Sequence, residues 1–180
     1  MPDSLPPPNP PVPTSLPLCI LLVDDHPLFL DGLKNLLVGR GLQVVGTAQD
    51  GFEALDKARS LHPEVILMDI QMPRCDGLAA LRLIKAELPE IKIVMLTMSS
   101  EDNDLFEAIK SGACGYLLKT QDTDEFFTCL NDLTKGEAPL SAGLALKLLN
   151  EFSRVARDDI AKRRDESMAR QGGGEQPLLS

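Results

Sequence analysis

From Leu18 onward, short apolar runs alternate with segments whose apolar residues return every three or four positions. Cys19-Ile20-Leu21-Leu22-Val23 is an unbroken apolar run, the pattern of a parallel strand buried on both faces. Leu28, Leu33, Leu36 and Leu37 then recur at helical spacing until Gly39 and Gly41 stop the helix. Residues 43–48 read as a second strand, and Phe52, Leu55 and Ala58 mark a second helix that ends before Pro63. Residues 65–68 form a third strand running straight into Asp69. A third helix spans 78–88 and closes at Pro89, and residues 91–96 make a fourth strand that ends at Thr97. Leu105, Phe106 and Ile109 give a fourth helix, closed by Ser111-Gly112. Residues 115–118 are a short fifth strand, and Phe126, Phe127, Leu130 and Leu133 build a fifth helix. Alternation of this kind predicts an α/β fold, a doubly wound five-stranded parallel sheet with helices on both faces.

The flanks have a different character. Residues 1–17 are dominated by Pro and have almost nothing to bury, which predicts a disordered or polyproline-II tail. The compact domain is expected over 18–136. Beyond it, Leu144, Leu148, Phe152 and Val155 lay an apolar stripe along an otherwise charged segment, giving a linker helix within 137–171. That stripe packs on its own domain or pairs with a second subunit, and the pattern leans to the second. Residues 172–180 open with Gly172-Gly173-Gly174, a flexible linker.

Length and charge narrow the picture. A chain of 180 residues fits one domain plus accessory segments. The formal net charge of -9 argues against this chain gripping nucleic acid by itself, because an acidic surface repels phosphate backbones. DNA contact is therefore expected only through a domain absent from this chain. Cys19, Cys75, Cys114 and Cys129 form no CxxC pair, so neither a disulfide framework nor a zinc site is expected, and Cys19 and Cys129 read as small buried apolar residues. The chain begins without a basic region followed by an apolar core, and no apolar run is long enough to span a membrane. The expected location is cytoplasmic.

The chemistry lies where strands end. In an open parallel sheet, functional groups collect at the carboxyl ends of the strands. Asp24 and Asp25 follow strand one, Asp69 follows strand three, Thr97 follows strand four and Lys119 follows strand five. If right-handed crossovers bring strands one and three together, three carboxylates converge. Such a group needs a cation, and magnesium suits it, since it takes few carboxylates, keeps several waters and favours phosphate oxygens. Lys119 adds a point charge for a carboxylate or a phosphoryl oxygen, and Thr97 adds a hydroxyl. Carboxylate nucleophile, metal, cation and hydroxyl make a complete set for attack on phosphorus.

These residues resemble the response-regulator receiver domain of bacterial two-component signalling. The resemblance rests on Leu22-Val23-Asp24-Asp25-His26-Pro27 and on Met68-Asp69-Ile70-Gln71-Met72-Pro73 with Asp76-Gly77. Ile93-Val94-Met95-Leu96-Thr97 and Gly115-Tyr116-Leu117-Leu118-Lys119 complete it. It implies the flavodoxin-like strand order 2-1-3-4-5 and a phosphoryl group accepted on Asp69 from a sensor histidine kinase, with Mg2+ as cofactor. It also implies magnesium-dependent self-phosphorylation and self-dephosphorylation rather than enzymatic turnover of a substrate. By the same resemblance Asp25 and Asp69 hold the metal, Asp24 acts through a bound water, and the Gln71 carbonyl completes the set. Lys119 and Thr97 bond phosphoryl oxygens, and Tyr116 is the switch aromatic that turns inward when Thr97 moves. The surface expected to change, and a possible homodimer face beside the linker helix, is the fourth helix, fifth strand and fifth helix. Thr120 stands after Lys119 where many receivers have Pro, and Met98 is bulkier than the residue usual after the switch Thr. With Leu140-Ser141, both features resemble the NarL/LuxR-type branch, whose members add a helix-turn-helix output domain and control transcription.

Two rival functions are distinguishable. An aspartate-nucleophile phosphohydrolase wants a second Asp two residues after the first, where Gln71 stands. A phosphorylation-independent interaction module would have no use for the full set of site residues. His26 is expected to shape the acidic loop and His62 to sit at an exposed helix end. Lys162-Arg163-Arg164 is interleaved with Asp158, Asp159, Asp165 and Glu166, the pattern of a solvated mixed-charge helix.

Overall fold

The computed structural model describes residues 17–98, 102–140 and 142–171. The element order is β1 (Cys19–Val23), α1 (Pro27–Gly39), β2 (Gln43–Ala48), α2 (Gly51–Leu61), β3 (Val65–Met68) and α3 (Gly77–Glu87). It continues with β4 (Lys92–Thr97), α4 (Asp102–Lys110), β5 (Gly115–Leu118), α5 (Thr123–Thr134) and α6 (Ala142–Gln171). The strands form one parallel sheet in the order β2-β1-β3-β4-β5. The crossover between β1 and β3 aligns Val23 with Met68, so Asp24 and Asp69 leave the sheet side by side.

The two-residue period of the strands divides the core. Leu21, Val23, Ile66, Met68, Ile93, Met95 and Tyr116 face α2, α3 and α4. Ile20, Leu22, Val65, Leu67, Val94, Leu96 and Leu117 face α1 and α5. Central strands buried on both faces need unbroken apolar runs, which is what β1 and β3 supply.

Helix faces differ in detail from the sequence pattern. In α1 the buried stripe is Leu30, Leu33 and Leu37, while Leu28 and Leu36 are exposed, because leucines on both sides of the helix blur its phase. In α2 the buried residues are Gly51, Ala54, Leu55 and Ala58, and Phe52 lies on the solvent side of the first turn. Cys129 is buried as expected, but Cys19, opening an edge-exposed strand end, is only half-buried. His62 caps α2 at φ 46°, an exposed helix end.

The tail expected at 1–17 lies outside the described residues apart from Pro17, as does the linker expected at 172–180. After α5 the chain returns along the sheet edge: Tyr116 N donates to the Pro139 carbonyl at 3.1 Å, and Leu140 bridges to Tyr116. This seats the first turns of α6 on their own domain. Leu144 is buried, Leu148 packs on the same core, and the Phe152 ring meets Phe106 of α4 edge-on at 5.0 Å. The remainder of α6 is exposed, Ile160 and Met168 included. No described helix is long and apolar enough to cross a membrane.

Candidate functional site

Among the described residues only four polar or charged ones are buried: Asp24, Asp50, Asp69 and Thr97. All follow or end strands at the same edge of the sheet. Strand pairing fixes their backbones. Asp69 N donates to the Val23 carbonyl at 2.9 Å, and Asp24 N donates to the Ala48 carbonyl at 3.0 Å. Lys119 N donates to the Thr97 carbonyl at 2.8 Å, which places the ends of β4 and β5 together.

Lys119 reaches across this edge. Its ammonium donates to Asp69 Oδ2 at 3.1 Å and, in a close ion pair, to Asp24 Oδ2. All three side chains are less than a tenth exposed. The Phe29 ring of α1 lies 4.4 Å from the Lys119 nitrogen and supports it by a cation–π contact. Asp69 Oδ1 accepts from Ile70 N at 2.8 Å. Burial pushes the Asp69 carboxyl above its ordinary range, Lys119 pulls it back, and Asp24 adds to the upward push.

Oxygen atoms of Asp24, Asp25 and Asp69 and a ring nitrogen of His26 lie within 4.8 Å of one another. His26 N donates to Asp24 Oδ1 at 2.9 Å, and the His26 ring Nδ1 sits 3.0 Å from the same oxygen, so His26 shapes the acidic loop. The ring also lies 3.0 Å from Asp25 Oδ1, but without hydrogen-bond alignment, and that buried oxygen has no hydrogen bond. An unsatisfied buried carboxylate oxygen beside two further carboxylates suits a hard divalent cation. Gln71 lines an open cleft of about 580 Å³ with Asp25, Ile70 and Asp76. Thr97 is buried at the end of β4, and the Tyr116 side chain has no exposed surface and packs in the core facing α4.

The sequence pattern overlooked Asp50. It caps α2, its Oδ1 accepting from Phe52 N and Glu53 N at 2.9 Å each, and it meets Arg74 across the β3–α3 loop. Asp50 with Glu53 three residues later is a helix-start signature that was available in the sequence. Phe29 carried no such signal.

The structure is a doubly wound α/β domain with converging acids and a lysine at the carboxyl edge of its sheet. The family model described as "Response regulator receiver domain" matches residues 20–131, and the chain belongs to that family. The chain is 38% identical over 136 residues to the transcriptional regulatory protein LnrK of Bacillus subtilis, covering 75% of this chain and 62% of that protein. It is 34% identical over 142 residues to the response regulator VraR of Staphylococcus saprophyticus, covering 78% of this chain and 68% of that protein. The chain thus spans about two thirds of the length of these relatives. Among solved structures, a LuxR-family response regulator from Aurantimonas superposes with TM-score 0.71 at 28% identity, over 77% of this chain and 99% of that one. The receiver domain of the response regulator NarL from Mycobacterium tuberculosis gives 0.64 at 30% identity, over 67% of this chain and 98% of that one. These relatives place the chain among two-component response regulators of the NarL/LuxR type.

Proposed function

We propose that Asp69 accepts a phosphoryl group from the phosphohistidine of a sensor histidine kinase, and that the modified domain switches an output that controls transcription. The observation that carries this reading is the buried Asp24–Lys119–Asp69 arrangement beside the unsatisfied Asp25 oxygen. Asp69 Oδ1 is held by Ile70 N, which leaves Oδ2 as the attacking atom once Lys119 turns toward the incoming phosphoryl oxygens. Bond formation from Oδ2 to phosphorus breaks the phosphorus–nitrogen bond of the donor, and the imidazole keeps the electron pair. Mg2+, held by Asp25, Asp69 and the Gln71 carbonyl with Asp24 acting through water, would offset the charge that builds on the phosphoryl oxygens. Lys119 then donates to one phosphoryl oxygen and Thr97 to another. The same residues admit a small phosphodonor and, later, the water that removes the phosphoryl group.

Phosphorylation adds about -1.5 to -2 charges, which only a state with Thr97 and Lys119 drawn in can satisfy. That unequal binding biases α4, β5, α5 and Tyr116 between two arrangements. We assign 18–136 to the receiver and 137–171 to its linker. Four free cysteines agree with a reducing, cytoplasmic location.

Intact-mass analysis with acetyl phosphate and Mg2+ tests the reading. One added phosphoryl group is expected in the native chain and none in Asp69→Asn. Modification persisting in Asp69→Asn would overturn it.

A further inference from the structure

The segment between Asp69 and α3 is short and pinned at three points. At its far end Gly77 N donates to the Ile70 carbonyl at 2.7 Å, and a side chain on Gly77 would overlap the Asp69 carbonyl oxygen. In its middle the Cys75 carbonyl accepts from Gly51 N at 3.0 Å, tying the loop to the first residue of α2. The third point is ionic. Arg74 Nε lies 2.7 Å and Arg74 Nη2 2.6 Å from Asp50 Oδ2, whose other oxygen is already committed to the start of α2.

Arg74 makes this contact at a conformational cost. Its φ is 65°, in the left-handed region where glycine and asparagine are at ease and arginine is not. Its side chain is 64% exposed, so it contributes little to the core. Glycine would hold the same φ without that strain. What the arginine adds is a fixed distance between the rigid start of α2 and a loop whose residues Ile70, Gln71, Met72 and Pro73 line the cleft beside Asp25.

We propose that Arg74 and Asp50 are positioning residues: their ion pair latches the Ile70–Pro73 stretch so that the Gln71 carbonyl faces the cation held by Asp25 and Asp69. This rests on the reading of the site as a magnesium-dependent phosphoacceptor. Neither residue is among those that would hold the cation. The latch acts through the loop, as outer groups set the geometry of a metal's own ligands.

The test is a Mg2+ titration of the full chain without phosphodonor, followed by amide chemical shifts in NMR spectra, paired with urea unfolding in the absence of Mg2+. Arg74→Gly is expected to bind Mg2+ about tenfold more weakly. Its urea midpoint should shift little, because relief of the positive φ offsets the lost ion pair to Asp50. Arg74→Lys should recover part of the affinity. Native-like affinity in Arg74→Gly overturns the latch and leaves the phosphoacceptor reading standing. A fall in affinity accompanied by a matching loss of stability also overturns it, making the pair a plain structural brace. A native chain that binds no Mg2+ overturns both readings together.

Discussion

Two buried aspartates follow the two strands that flank β1, Asp50 after β2 and Asp69 after β3, and their carboxyls are shifted in opposite directions. Asp50 is held below its ordinary range, chiefly by the hydrogen bond from Glu53 N, against burial, with help from Arg74 and Phe52 N. Asp69 is pushed above it, chiefly by burial, despite Lys119 and Ile70 N. Both are covered from water, but Asp69 sits deeper in protein and shares its one cation with Asp24. Enough donors aimed at a carboxylate hold it in its charged form, and too few leave a buried one short of partners.

The largest effect that bears on this contrast is expected from Lys119→Met. With the ammonium gone, Asp24 and Asp69 face each other unpaired, and urea unfolding at neutral pH should register a loss of about 3 kcal/mol. Mg2+ should restore part of it. No loss, with or without Mg2+, would mean that the buried acids are not charged. Asp50→Ala removes the cap and the Arg74 partner, and a loss of about 2 kcal/mol is expected in the same assay. A negligible change would erase the contrast between the two acids from the other side.

The contrast sharpens with pH. A carboxyl raised in the folded state favours folding most below its ordinary pKa of 3.8, and that contribution is lost as pH rises through the raised value. Asp69→Asn should therefore gain stability relative to the native chain above that window and converge with it in acid. Asp50, being lowered, contributes stability above 3.8 that disappears as pH falls, so Asp50→Asn should close its deficit in acid. Parallel pH profiles of the two variants would refute the opposed shifts. The smallest effect belongs to the exposed pairs of α6. Arg154→Ala removes contacts to Glu151 and Asp158, yet no resolvable shift of the urea midpoint is expected at moderate salt.

The legibility of the site follows from the same physics. Asp24, Asp69, Thr97 and Lys119 were readable because each ends an apolar run, and a strand buried on both faces announces where it stops. The strand order followed from the family resemblance, and the coordinates agree with it. Asp50 escaped because β2 is an edge strand, mostly half-buried, whose Gly46 and Thr47 blur its end. Its partner Arg74 lies 24 residues away, a distance over which one sequence carries no pairing signal. The helical spacing in α1 marks the helix but not its buried face, because Leu28 and Leu36 occupy its outward side.

The return of the chain along β5 has a mechanical consequence. Tyr116, whose ring is in the core, is joined through its own backbone to Pro139 and Leu140, only a few residues before α6. With 30 residues, α6 is about 45 Å long, and its described contacts with the domain lie toward its amino end. Such an element behaves as a pointer on a short pivot: a tilt of about 5° at Leu144 carries its far tip roughly 4 Å. Any change of packing beneath Tyr116 that tilted α6 would be magnified at its far tip.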